Sequence, residues 1–207
     1  MGNRLKIKIC GMRKAENIAA VAELEPEYMG FIFYRPSPRY AGSPDLSALP
    51  ATIRKTGVFV DTPPDEIADT ARHYGLQTLQ LHGSETPGTC RKLREASYEI
   101  IKAFGIETAE DFARTAGYTA CCDLFLFDTR TPGHGGSGRR FDWRILEAYT
   151  GKTPFLLSGG ISPADADEIL TLNHPMLYGI DLNSRFETEA GLKNTESLEH
   201  FIKTIRS

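Results

Sequence analysis

The sequence predicts an α/β protein, a compact single-domain (β/α)8 barrel spanning residues 1–207. Three observations carry that expectation. Eight short apolar runs alternate with eight helix-type segments from one end of the chain to the other, and such alternation builds a parallel sheet with helical crossovers. No linker, low-complexity tract or break in composition divides the chain. The G-x-G-x-x-G fingerprint of a doubly wound dinucleotide sheet is absent after the first strand. At roughly 26 residues per unit, a closed barrel would be near the lower end of its size range. That leaves little room for decoration, so polar residues at strand ends become candidates for a site.

The first strand is LKIKIC (5–10), in which Leu5, Ile7 and Ile9 alternate with Lys6, Lys8 and Cys10 before Gly11 stops it. KAENIAAVAELE (14–25) is the first helix, and EYMGFIFY (27–34) the second strand. The second helix, within 44–54, is crowded by Pro44 and Pro50 and is expected to be short. KTGVFVD (55–61) precedes a well-signalled helix at 64–75. Thr62-Pro63-Pro64-Asp65 suits a first turn, Asp65 and Glu66 favour the helix dipole, and Ile67, Ala71 and Tyr74 share one side. TLQLHG (78–83), EIIKAFG (99–105), DLFLFD (123–128), TPFLLSG (153–159) and MLYGIDL (176–182) are the remaining strands. Helix-type segments at 86–97, 108–117, 142–149, 162–172 and 195–206 follow them, with Ser162-Pro163 and Asp165 marking another helix start.

Composition excludes several classes. Hydrophobic residues make up 41% and charged residues 25%, an ordinary globular balance. With 24 basic against 27 acidic residues and no like-charge block, nothing points to nucleic acid. No apolar run is long enough to span a membrane, and the N-terminus lacks a signal peptide's apolar core. Gly2 does not make a myristoylation site, since Lys6 stands where that motif needs Ser or Thr. Cys10, Cys90, Cys121 and Cys122 show no C-x-x-C spacing. His73, His134, His174 and His200 show no metal-ligand spacing. A reducing cytoplasmic setting is therefore expected, and these spacings give no sign of a metal site.

Barrel enzymes place their chemistry at the C-terminal ends of the strands. The candidates there are Cys10, Tyr34 with Arg35 to Arg39, Asp61, Gln80 with His82, Asp128, Ser158-Gly159-Gly160, and Asp181 with Asn183-Ser184. Asp128 shares parity with Leu124 and Leu126, so its carboxyl should face the mouth, where partial desolvation suits a general acid. The loop after it contains Gly133, Gly135, Gly136 and Gly138, a backbone-exposing run. LLSGGIS (156–162) could converge N–H groups on an anion, at the position where these barrels commonly hold phosphate. A strand cysteine is most often an inert small hydrophobe. Lysines on the same face of Cys10 could instead favour its thiolate, and Lys8 is expected to pair with Asp181 inside the barrel. His82 would otherwise only cap a turn, and Arg39 would be a solvated loop charge.

Taken together, KICGMR (8–13), GFIFYxxSPRY (30–40), GVFVD (57–61), QLHG (80–83), FDTRTPGHGGSGRRFDW (127–143), LSGGI (157–161) and DLNS (181–184) resemble the phosphoribosylanthranilate isomerase family of tryptophan biosynthesis. The resemblance covers essentially the whole chain. It implies a (β/α)8 barrel performing a cofactor-free Amadori rearrangement of a phosphorylated small molecule, as monomer or homodimer. By the family's motifs, Cys10 is the general base and Asp128 the general acid. Arg39 holds the anthranilate carboxylate, and backbone groups at Gly159, Gly160, Asn183 and Ser184 hold phosphate, with His82 and Asp181 also lining the site. One departure stands out. The family pattern after the eighth strand is a serine pair followed by glycine, where this chain has Asn183-Ser184-Arg185, and Arg185 could contact phosphate directly.

Rival readings are another phosphate-binding barrel enzyme, such as indoleglycerol-phosphate synthase or a sugar-phosphate epimerase, or an inactive barrel serving as a binding protein. The synthase needs lysines at strand ends, whereas Lys8 and Lys102 lie short of them. The epimerase needs paired metal ligands that His82 alone does not supply. An inactive barrel would have lost Cys10 or Asp128. Cys10 also argues against the related histidine-pathway reaction, whose usual barrel relies on two aspartates.

Overall fold

The computed structural model describes residues 4–130 and 140–207; Gly2 and the run Gly133 to Gly138 with His134 lie outside them. Eight parallel strands close into a barrel in chain order: β1 (Lys6–Cys10), β2 (Tyr28–Ile32), β3 (Arg54–Phe59), β4 (Thr78–Leu81), β5 (Glu99–Ile106), β6 (Leu124–Thr129), β7 (Phe155–Leu157) and β8 (Leu177–Leu182). Closure is made where β1 pairs with β8, Lys8 standing opposite Asp181 and Ile9 opposite Leu182.

The alternation of residues along each strand separates two cores. Tyr28, Ile101, Ala103, Leu124, Leu126 and Leu156 fill the barrel interior. Ile7, Ile9, Phe31, Phe125, Phe127 and Phe155 belong to the larger cluster under the outer coat. Lys8 and Cys10 therefore face inward, as does Asp128, two residues beyond Leu126. The interior parity read from the sequence holds.

The crossovers depart more from expectation. Helices α1 (Ala15–Ala22), α2 (Pro64–Tyr74), α3 (Pro87–Glu95), α4 (Ala166–Thr171) and α5 (Thr195–Arg206) form. The α2 helix begins with Pro64 in its first turn and ends on a left-handed Gly75, as its sequence signals require. The segment 44–53 contains only turns, because Pro44 and Pro50 leave no uninterrupted stretch for a helical ladder. The crossovers at Ala109–Tyr118 and Trp143–Ala148 are tighter 3-10 helices, which cover the barrel with Phe112, Trp143 and Leu146. Thr108 and Asp111 cap the first of these reciprocally. Strands also stop earlier than the sequence suggests: β2 at Ile32 and β3 at Phe59. A short antiparallel hairpin, β9 (Glu187–Glu189) with β10 (Leu192–Lys193), fills what reads as loop before α5. No helix among the described residues is long and apolar enough to cross a membrane.

A polar plug closes the N-terminal end of the barrel. Glu99 accepts hydrogen bonds from Thr78 Oγ1 (2.6 Å) and Tyr28 Oη (3.3 Å) and pairs with Arg54 Nε at 3.1 Å. Barrels keep chemistry at the opposite face, so the plug serves stability. Glu99→Ala is expected to lower unfolding stability by about 1–3 kcal/mol, the cost of leaving these donors without an acceptor, with kcat unchanged. Urea unfolding beside steady-state kinetics checks both halves.

Candidate active site

Cys10 ends β1 with its side chain turned into the barrel and only 2% of the residue exposed. Below it, the fully buried Lys8 Nζ donates to Asp181 Oδ1 at 2.7 Å, the pairing expected from the sequence. Asp181 Oδ2 accepts from Ser158 Oγ at 3.2 Å. One carboxylate thus ties the ends of β1, β7 and β8 together. Burial opposes the Lys8 ammonium, but Asp181, with Cys10 beyond it, more than compensates and raises its pKa. Burial also pushes the Cys10 thiol up, and Lys8 recovers only part of that shift. The expectation that lysines would favour the thiolate is met in sign by Lys8 and outweighed by desolvation. Lys6 is not involved: it lies at the other end of β1, 3.9 Å from Glu27.

A cationic arm flanks Cys10. Arg39 grips Glu187 with Nε (2.9 and 3.0 Å) and Nη2 (2.8 Å). Lys193, fully buried, donates to the same carboxylate at 2.6 Å and to Asn183 Oδ1 at 2.8 Å. Burial works against the Glu187 carboxylate, and its two cations overcome that, leaving its pKa below the ordinary value. Burial likewise depresses Lys193, which Glu187 and then Cys10 partly restore. Gly11, with φ +80°, joins this arm to β1: a Cβ there would sit 2.8 Å from Asn183 Oδ1 and 2.9 Å from Arg39 Cδ, so no larger residue fits. Glu187 and Lys193 were not legible as site residues. They stand on a hairpin too short for periodicity to reveal.

Asp128 lies on the far side of the mouth, separated from β1 by β7 and β8 in one direction and by β2 to β5 in the other. Its Oδ1 accepts the Thr129 N–H at 2.8 Å, and its Oδ2 is 3.4 Å from His82 Nε2. The Gln80 amide nitrogen lies 2.8 Å from His82 Nδ1; as a donor it assigns the ring proton to Nε2, the nitrogen on the Asp128 side. Gly159, at φ +86°, packs directly on this acid. A Cβ there would lie 2.8 Å from Asp128 Oδ1 and 2.4 Å from Thr129 Oγ1.

Gly159 and Gly160 follow β7, while Asn183 and Ser184 follow β8, its neighbour in the ring. Both pairs are half-buried, and Arg185 is exposed. Asp61 is drawn away from the chemistry. Its Oδ1 accepts the Ser84 N–H at 2.6 Å, which fastens the loop after β4.

Residues 7–204 match the family described as PRAI, N-(5'phosphoribosyl)anthranilate (PRA) isomerase. A Parabacteroides distasonis protein named N-(5'-phosphoribosyl)anthranilate isomerase is 48% identical over 206 residues, covering 96% of this chain and 92% of the relative. A crystal structure of phosphoribosyl anthranilate isomerase in complex with reduced 1-(o-carboxyphenylamino)-1-deoxyribulose 5-phosphate superposes with a TM-score of 0.84 at 31% identity, covering 97% of this chain and 98% of that one. Monomers generated from the dimeric isomerase of Thermotoga maritima give a TM-score of 0.83 at 31% identity, with the same coverage of 97% and 98%.

Removing Lys8 would strand Asp181 in the interior without its cation. Lys8→Met is expected to cost about 3–5 kcal/mol, and the double variant with Asp181→Leu to recover much of it, because a buried charge is harmful chiefly when unpaired. Urea unfolding of the two variants beside the parent checks this.

Proposed function

The chain belongs to the N-(5'-phosphoribosyl)anthranilate isomerase family, and we propose how its residues divide the family's reaction among themselves. It is an aldose–ketose isomerase of tryptophan biosynthesis. It converts N-(5-phosphoribosyl)anthranilate to 1-(2-carboxyphenylamino)-1-deoxyribulose 5-phosphate.

One observation supports the division best: a thiol and a carboxyl on inward-facing strand ends at opposite sides of one barrel mouth. Ring opening needs a proton on the furanose oxygen as the C1–O bond breaks, and Asp128 supplies it. The electron pair on the anthranilate nitrogen forms the C1 iminium, which makes the C2 proton acidic. Cys10, as thiolate, removes that proton from the other face of the sugar. The resulting enolamine tautomerises to the ketone. Every step moves protons between substrate and side chains, so acid and base must be apart and both aimed inward.

The neighbours set these two groups up. His82 orients Asp128 through its Nε2 proton and, with Gly159 against the carboxyl, limits its rotation. Lys8 offsets part of the cost of a buried thiolate. Arg39 receives the anthranilate carboxylate. Lys193 shares Glu187 with Arg39, so Glu187 keeps a cation when the guanidinium turns to substrate. The loops carrying Gly159, Gly160, Asn183 and Ser184 take the phosphate, with Asp181 fixing the strand ends beneath them. Arg185 adds a charge at their rim. Four free thiols and a biosynthetic role suit the reducing cytoplasm, where we place the enzyme.

Cys10→Ala and Asp128→Asn are each expected to lower kcat by about 10²–10⁴, the range general acid–base catalysis supplies. Substrate made in situ and loss of anthranilate fluorescence provide the assay; near-parental turnover by either variant would refute its role. Arg39→Ala is expected to raise KM by about 10- to 100-fold, the worth of a charge-assisted contact to a carboxylate. An unchanged KM would remove Arg39 from the binding site.

A further inference from the structure

Cys10 faces the barrel interior, but the other three cysteines gather outside it. Cys90 lies in α3, and Cys121 with Cys122 in the segment leading into β6. All three belong to the outer core and are nearly inaccessible. Their sulfur atoms lie within 4.8 Å of one another. None takes part in the rearrangement, and none is bonded to another as a disulfide. Three small apolar residues would fill this space as well, which makes the convergence of three ligating sulfurs informative.

Two neighbours bear on the cluster. Cys121 Sγ donates to the Tyr118 carbonyl oxygen at 3.4 Å. Lys102, itself buried, interacts electrostatically with Cys90 but is paired with Glu85 at 3.2 Å, and the Glu85 charge acts on Cys90 in the opposite sense.

We propose that Cys90, Cys121 and Cys122 form a binding site for one soft d10 cation, held by three thiolates between α3 and the segment before β6. Sulfurs about 2.3 Å from a common ion in a trigonal set stand about 4.0 Å apart, so each needs to shift by less than about 1 Å. Thiolates select soft ions, Cu⁺ and Zn²⁺ foremost. On loading, each sulfur donates an electron pair to the cation, and the three thiol protons leave to solvent. Three thiolates leave excess negative charge with either ion, beside a Lys102 that is itself paired with Glu85. The bound ion cross-links two segments of the outer coat and stabilises the fold by mass action.

The test uses whole protein, stripped of metal by a chelator under argon. It is incubated with Zn²⁺ in one arm and Cu⁺ in the other, then desalted and analysed for metal. Retention of about one equivalent per chain in either arm is expected, and the arm that retains it identifies the ion. Cys90→Ser and Cys122→Ser should each reduce retention at least about tenfold, and Cys10→Ser should leave it unchanged. Retained isomerase activity in Cys90→Ser and Cys122→Ser shows that those variants fold. X-ray absorption of the loaded wild type reads the site without any variant and should show three sulfur neighbours near about 2.3 Å. Failure to retain metal in both arms, retention that survives Cys90→Ser, or a shell of nitrogen and oxygen would each overturn the proposal.

Discussion

The Lys8–Asp181 pair is the constraint on which the catalytic end of this barrel depends. It spans the seam where the first and last strands meet. Neither partner has water to fall back on, so the attraction between them must offset most of two desolvation costs. That demand is met only when β1 and β8 are in register. The same pair sets the environment of Cys10, because the ammonium that satisfies Asp181 also lies beneath the thiol. Closure of the sheet and the electrostatic setting of the Cys10 thiol are therefore one arrangement seen from two sides.

Around that seam the interior is layered by purpose. Glu99 gathers Tyr28, Thr78 and Arg54 at the entry end of the strands. Apolar side chains such as Ile101, Leu126 and Leu156 fill the middle. Above them, at the strand ends, stand Cys10 and Asp128. The packed middle excludes water from below, beneath the thiol and the carboxyl at the strand ends. Desolvation makes the thiolate costly, and the same desolvation strengthens any interaction a bound substrate makes with these groups.

Strand period and parity made much of this legible in the sequence. The alternation in LKIKIC put Lys8 and Cys10 on one face, and LFLFD did the same for Asp128, because a buried strand must present alternate residues to one core. What stayed hidden had no period to show. The turn-only crossover at 44–53 and the 3-10 coats over β5 and β6 follow from local sterics and tight spacing rather than from amphipathic repeats. Glu187 and Lys193 enter the site from a hairpin whose strands have three and two residues. The three outer cysteines meet through packing between segments about thirty residues apart in the chain, which no spacing rule anticipates.

The β9–β10 hairpin has a consequence for how such a protein changes over time. It contributes Glu187 and Lys193 to the arm beside Cys10, yet it contributes no strand to the barrel. Its exposed turn at Thr188 to Ala190 can drift without disturbing the closed sheet, so long as Glu187 still grips Arg39 and Lys193 stays paired with Asn17. Substrate preference is thereby partly uncoupled from foldability: the piece that holds Arg39 is modular, while Cys10 and Asp128 are built into the frame. A laboratory search for altered selectivity would do well to randomise residues 188 to 190, the exposed turn of the hairpin, and leave Phe186, Glu187, Lys193 and the strands untouched.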